Sequence, residues 1–113
     1  MRRALTLSDA ERAAVDEFLV RARAALGNEL KEVRLFGSRA RGEGHDESDL
    51  DIALIVGPEG RAQRRAIYDL AFDVGLAHGI EIAPLVIEET RLQELRERDR
   101  QLARDLDTQG IPL

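Results

Sequence analysis

Cysteine is absent from this sequence, which excludes disulfide staples and thiolate metal sites and fits a reducing compartment. Aromatic residues make up only 4% of it, so aliphatic side chains and alanine must fill any core. No apolar run approaches the ~20 residues needed to cross a bilayer, and the start carries no signal-peptide pattern. The expectation is therefore a cytoplasmic protein with no membrane partner. There are no internal repeats, no low-complexity segments and no evident linker. Positive charge is outnumbered, with 17 Lys and Arg against 22 Asp and Glu, net −5. An acidic chain with one small basic cluster is a poor basis for nonspecific nucleic-acid binding. What is present is 43% hydrophobic and 35% charged residues over a length of 113, the composition of a folded soluble chain. A single domain over residues 1–113 is expected.

The periodicity divides the chain into helices and strands. Ser8 and Glu11 have the spacing of a capping box, opening a helix that runs to about Leu26 and stops at Gly27. Ala14, Val15, Phe18, Ala22, Ala25 and Leu26 recur at helical spacing as its apolar face. Leu30–Phe36 reads as a first strand, with Val33 and Leu35 on one face and Arg34 and Phe36 on the other. A second strand leads out through Ile52–Val56, and the turn Gly57-Pro58-Glu59-Gly60 follows. A long helix is expected over Arg61–His78, ended by Gly79, with Ile67, Leu70, Ala71, Val74 and Ala77 on its main face. Phe72 and Leu76 fall off that stripe, so the apolar arc is wide: either a partner or another helix of the same chain covers it. Gly79–Ile87 reads as a third strand, an edge or interrupted one because Pro84 lacks an N–H. Glu88–Leu106 reads as one helix, with Asp99 interrupting its leucine stripe.

The stretch Gly37–Ile52 is the part that carries chemistry. Gly37-Ser38-Arg39-Ala40-Arg41-Gly42 follows the first strand, and Ser48-Asp49-Leu50-Asp51-Ile52 opens the second. Side chains alternate along a strand, so Asp49 and Asp51 share a face roughly 7 Å apart while Leu50 and Ile52 point into a core. Paired carboxylates repel each other, and the arrangement becomes favourable around a divalent cation. Their hard oxygens suit Mg²⁺, which takes one or two protein carboxylates and leaves its other positions to water and phosphate. The upstream turn supplies the complement. Gly37 allows close backbone approach, Ser38 offers a hydroxyl and an amide, and Arg41 offers a guanidinium fork for phosphate oxygens. Ser38–Arg41 reads as the first turn of a short helix, whose amides favour phosphate. His45 lies in the polar loop between, where a solvated histidine is the simpler reading.

Gly37-Ser38, ten residues, then Asp49-x-Asp51 resembles the signature of the nucleotidyltransferase superfamily related to DNA polymerase beta. The fuller pattern, Gly-Ser-x-Ala-Arg-Gly with Ser-Asp-x-Asp, resembles the minimal nucleotidyltransferases, which commonly serve as antitoxins beside a HEPN-domain toxin. The resemblance is strongest over residues 33–56. It implies the nucleotidyltransferase fold, of α+β class, with a small three-stranded mixed sheet and about four helices. It implies transfer of AMP from ATP to a hydroxyl, with two Mg²⁺ ions about 4 Å apart held by Asp49 and Asp51. Gly37, Ser38 and Arg41 would then hold the phosphates. In that superfamily a third acid sits in an Ile-Asp-Ile-like context, and Glu81, between Ile80 and Ile82, matches the place while departing from the usual aspartate. Glu81 is either the third ligand and base or an outward-facing edge charge. No segment is spare to hold an acceptor, so the resemblance implies a second wall built by a HEPN toxin modified on tyrosine. A hetero-oligomer follows, with a homodimer as the other arrangement. A binding-only antitoxin that masks its toxin, and a small-molecule nucleotidyltransferase, are the alternative functions.

Overall fold

The computed structural model describes residues 7–37 and 49–113. The first helix, α1 (Asp9–Leu26), starts where its cap was expected. The Glu11 N–H donates to Ser8 Oγ at 3.1 Å, and the Ser8 N–H donates to Glu11 Oε1 at 2.8 Å. It ends at Gly27, whose φ of 55° lies in the left-handed region. Its buried arc is Ala14, Val15, Phe18, Leu19, Ala22 and Leu26. Ala25, at the rim of that arc, is exposed, and Leu19 takes a place in the core.

Strand β1 (Leu30–Phe36) pairs antiparallel with β2 (Leu50–Val56). The second long helix, α2 (Arg64–His78), follows a 3₁₀ turn over Gly60–Gln63, so it begins three residues later than expected from Arg61. It leads to β3 (Ile82–Glu88), which runs parallel to β2. The sheet order is β3-β2-β1-β4, with β4 the short segment Ile111–Pro112, so β3 is an edge, as Pro84 requires.

Strand β4 (Ile111–Pro112) is the departure from the expected three-stranded sheet. It pairs antiparallel with Arg34 and Leu35, and the Leu113 N–H donates to the Val33 carbonyl at 3.0 Å. Two residues, one of them proline, leave no alternating pattern from which a strand can be read.

The expected helix over Glu88–Leu106 is two helices, α3 (Glu89–Glu97) and α4 (Gln101–Gln109). The break is at Asp99, with φ 52°. Aspartate tolerates this conformation better than most residues, because its short side chain bonds locally. Arg104 Nη1 donates to Asp99 Oδ2 at 2.9 Å, and the Arg100 N–H closes the end of α3 on the Leu95 carbonyl at 2.9 Å.

The helices cover both faces of the sheet. On one face α1 and α2 pack against Val33, Leu35, Leu50, Ile52, Leu54 and Val56. On the other, Leu92 of α3 and Ala103 and Leu106 of α4 pack against Ala53, Ile55 and Ile87, with Phe36 partly buried beside them. Strand β2 is thus buried on both sides, which explains its unbroken apolar run. Each fully buried Leu, Ile, Val or Phe contributes about 1.5–3 kcal/mol by leaving water. Arg34 ties the second face together: its Nη1 donates to the Leu106 carbonyl at 2.7 Å, at the end of α4. No helix among the described residues is long and apolar enough to cross a membrane.

Candidate active site

The two aspartates stand where β2 begins. Asp49 is exposed just ahead of the strand, and Asp51, within it, is partly buried. Leu50 and Ile52 are both fully buried in the α1/α2 layer, so alternation puts Asp51 on the opposite face, that of Ala53 and Ile55. Asp49 shares that side at the strand's mouth.

Gly37 closes the site from β1. Phe36 is the cross-strand partner of Asp51, so the next residue turns beside the Asp51 carboxylate. A Cβ on Gly37 would overlap Asp51 Oδ2 and lie 3.1 Å from its Cγ. The φ of Gly37 is 75°, a conformation that L side chains rarely adopt. Both facts require glycine here. Ser38, Arg41 and His45 lie outside the described residues.

Glu81 reaches the site by a different route from the one expected. It precedes β3 rather than standing within it, since the strand begins at Ile82. The Glu81 carbonyl accepts from the Leu50 N–H at 2.9 Å, extending the parallel register that pairs Leu50 with Ile82 and Asp51 with Ala83. That bond sets Glu81 alongside Asp49, and their carboxyl groups hydrogen-bond to each other. This hydrogen bond, then the repulsion between the two charges, then a small loss of hydration, raise the Glu81 pKa above its ordinary value. Asp49 and Glu81 therefore form a close carboxyl pair at the mouth of β2. Among the described residues no set of three acids is gathered closely enough to ligate one ion as it stands.

A raised acid binds more protons in the folded chain than in the unfolded one. Stability therefore falls as pH rises from about 4.5, the ordinary glutamate value, through the raised value of Glu81. Glu81→Gln, which keeps a donor toward Asp49 without a titrating proton, is expected to flatten that fall. Urea unfolding curves at stepped pH for both proteins check it, and identical profiles would remove the carboxyl pair.

One positioning residue carried no motif and was missed in the sequence. Gly75 is buried in α2, and a Cβ there would overlap the Ile80 carbonyl oxygen. The Ile80 N–H donates to the Gly75 carbonyl at 2.9 Å, and Gly79 sits at φ 68° between them. The chain thus folds tightly back over Gly75 and delivers Glu81 to the mouth of β2. The available signal was a glycine inside a helix, which costs up to ~1 kcal/mol against alanine and so marks a close approach. Gly75→Ala meets backbone atoms, which cannot rotate aside. It is expected to destabilise by about 1–3 kcal/mol and to return the Glu81 pKa toward its ordinary value by parting it from Asp49. Thermal unfolding and carboxyl titration by NMR measure the two effects.

Comparison with known proteins gives a consistent picture. A family described as "Nucleotidyltransferase domain" matches residues 17–106. A Methanocaldococcus jannaschii protein, provisionally named protein adenylyltransferase MJ1305, is 34% identical over 77 residues. That match covers 66% of this chain and 52% of the relative, so the chain spans about half of that protein's length. Among solved structures, one provisionally assigned as a minimal nucleotidyltransferase superposes with a TM-score of 0.57 at 24% identity, covering 96% of this chain and 99% of its own. A toxin–antitoxin crystal structure with AMP-PNP superposes with a TM-score of 0.53 at 21% identity, over 84% of this chain and 68% of the other. At these identities the structural likenesses establish the fold.

Proposed function

The chain belongs to the nucleotidyltransferase domain family, and from that premise we propose that it moves AMP from ATP to a hydroxyl of a partner protein, a HEPN toxin that it thereby silences. The observation that supports this reading is that Glu81 lies beside Asp49 at the mouth of β2, while Asp51, two residues along, faces Gly37 at the end of β1. The relative named as a protein adenylyltransferase supports a protein acceptor, and the toxin–antitoxin structure with AMP-PNP supports a toxin and an adenine nucleotide.

The donor set fits Mg²⁺. It consists of hard carboxylate oxygens, and the repulsion between the Glu81 and Asp49 carboxylates is one that a cation would relieve. Asp49, Asp51 and Glu81 are the residues that would hold it. Bound there, Mg²⁺ would lower the pKa of the attacking hydroxyl and stabilise the departing pyrophosphate. Gly37, whose missing side chain makes room for the Asp51 carboxylate, Ser38 and Arg41 are proposed to bind the β- and γ-phosphates. The acceptor oxygen forms a bond to the α-phosphorus as the bond to pyrophosphate breaks. The Glu81 carboxylate is proposed to receive the proton that the hydroxyl loses.

Purified partner incubated with chain, ATP and Mg²⁺ tests this reading: its mass rises by one AMP unit per modified hydroxyl. An unchanged mass overturns it. A second reading, masking without chemistry, is favoured by the exposed apolar residues of α2. It expects neutralisation of the toxin with no mass increment.

A further inference from the structure

The outer side of α2 carries apolar surface that its own core does not use. Phe72 and Leu76 are 69% and 73% exposed, and Tyr68, one turn earlier, is 39% exposed. These positions follow one another at four-residue spacing and form a single ridge. Beside the ridge runs a groove of about 410 Å³, floored by the small residues Ala71 and Gly75. The groove ends at Glu81, so the apolar surface and the acidic site share one wall. Scattered exposed apolar residues are ordinary, but a ridge and groove continuous with a reactive site mark a contact surface.

The charges around the ridge identify its occupant. Asp69 stands three residues before Phe72 and Asp73 three before Leu76, which makes them helix-surface neighbours, and both are exposed. Glu81 closes the groove's end with a further carboxyl group. The nearest cation on the helix, Arg65, meets Asp69 at 3.9 Å and is itself almost fully exposed. A second copy of this chain, docked about a twofold axis, would set these aspartates against their own counterparts. The net charge of −5 adds to that repulsion. A partner with apolar side chains bordered by Lys or Arg meets no such opposition and gains from the rim charges.

We propose that the Tyr68–Phe72–Leu76 ridge and its groove are the docking surface for a different polypeptide, one that presents an apolar helical face bordered by basic residues and thereby brings its hydroxyl to the Asp49–Glu81 end. The role of the docked hydroxyl rests on the transferase reading; the docking surface itself stands apart from it.

The probe is the polypeptide encoded in the adjacent reading frame, purified separately and mixed with this chain. Phe72→Ser/Leu76→Ser, at two exposed positions, is expected to keep the wild-type circular dichroism and melting curve. It should weaken the complex at least about 30-fold, the loss typical of interface hot spots. Asp69→Lys/Asp73→Lys is expected to weaken it about tenfold or more at low salt, and less at high salt. Undiminished binding by the serine variant overturns the surface, as does failure of the wild-type chain to bind the probe. Tighter binding by the lysine variant overturns the basic partner. A wild-type dimer in light scattering that the serine variant dissolves assigns the ridge to a second copy instead. The two readings fail separately. If the wild type transfers no AMP while the complex still depends on Phe72 and Leu76, the transferase reading falls and the docking surface stands. If transfer proceeds and the serine variant binds normally, the reverse holds.

Discussion

Replacing Asp49 and Asp51 together by Asn will abolish AMP transfer while leaving the fold and the partner complex intact. Asparagine has nearly the same size, so packing near Asp51 changes little, and Asp49 is exposed. What changes is charge. Two carboxylates that would bind a divalent cation become neutral amides, whose single carbonyl oxygens are much weaker donors to a hard ion. Loss of groups that merely support metal ligands typically costs 10–100-fold, so loss of two proposed ligands should exceed about 100-fold in kcat/KM. The structure adds an internal control. Asp49 is the cause of the raised pKa of Glu81, through a hydrogen bond and through repulsion. With Asn at 49 the repulsion disappears and Glu81 should titrate nearer its ordinary value. A carboxyl titration that shifts while transfer vanishes ties both effects to one cluster. Transfer that survives in the double variant would remove these aspartates from the chemistry. Transfer lost along with partner binding would instead indicate a structural role.

The candidate residues could be picked out in the sequence because most of them lie close together along the chain. Gly37, Asp49 and Asp51 lie between two apolar runs, and the alternation of a strand settles which way Asp51 points. Leu50 and Ile52 are buried as that alternation required. Glu81 could be picked out from its apolar neighbours, but its placement depends on long-range geometry. It precedes β3, held by the Leu50 N–H, and its proximity to Asp49 follows from the parallel register. The role of Gly75 depends on the folded geometry in the same way: a glycine inside a helix signals a close approach, but only the fold shows that the Ile80 carbonyl is what packs over it. The fold shows a similar division. The capping box at Ser8 and the stop at Gly27 are local and were readable. Strand β4 exists because Arg34 and Leu35 offer it a free edge, and its own two residues carry no pattern. Asp99 interrupted the leucine stripe, yet only its φ of 52° turns that interruption into a break between α3 and α4.

Gly37→Ala is expected to lower stability and transfer together, by two separable routes. The first is backbone strain. At φ 75° an L residue pays roughly 1–2 kcal/mol that glycine does not, and this cost is independent of the site. The second is displacement of Asp51. The new methyl would occupy the place of Asp51 Oδ2 and crowd Asp51 Cβ at 3.4 Å. Asp51 Cβ is fixed by the pairing of β2 with β1, so the carboxylate must swing about χ1, away from its position opposite the turn. A misplacement of about 1 Å at a reacting group can cost on the order of 100-fold in rate, so transfer should fall by tens- to hundred-fold. A double-mutant cycle separates the routes. In an Asp51→Asn background Gly37→Ala should still show the strain in urea unfolding, but it should cause little further loss of transfer, because the group it displaces no longer works. Full independence of the two substitutions in transfer would mean that Gly37 acts on the nucleotide directly rather than through Asp51. Wild-type transfer by Gly37→Ala alone would show that the turn after β1 does not constrain the site.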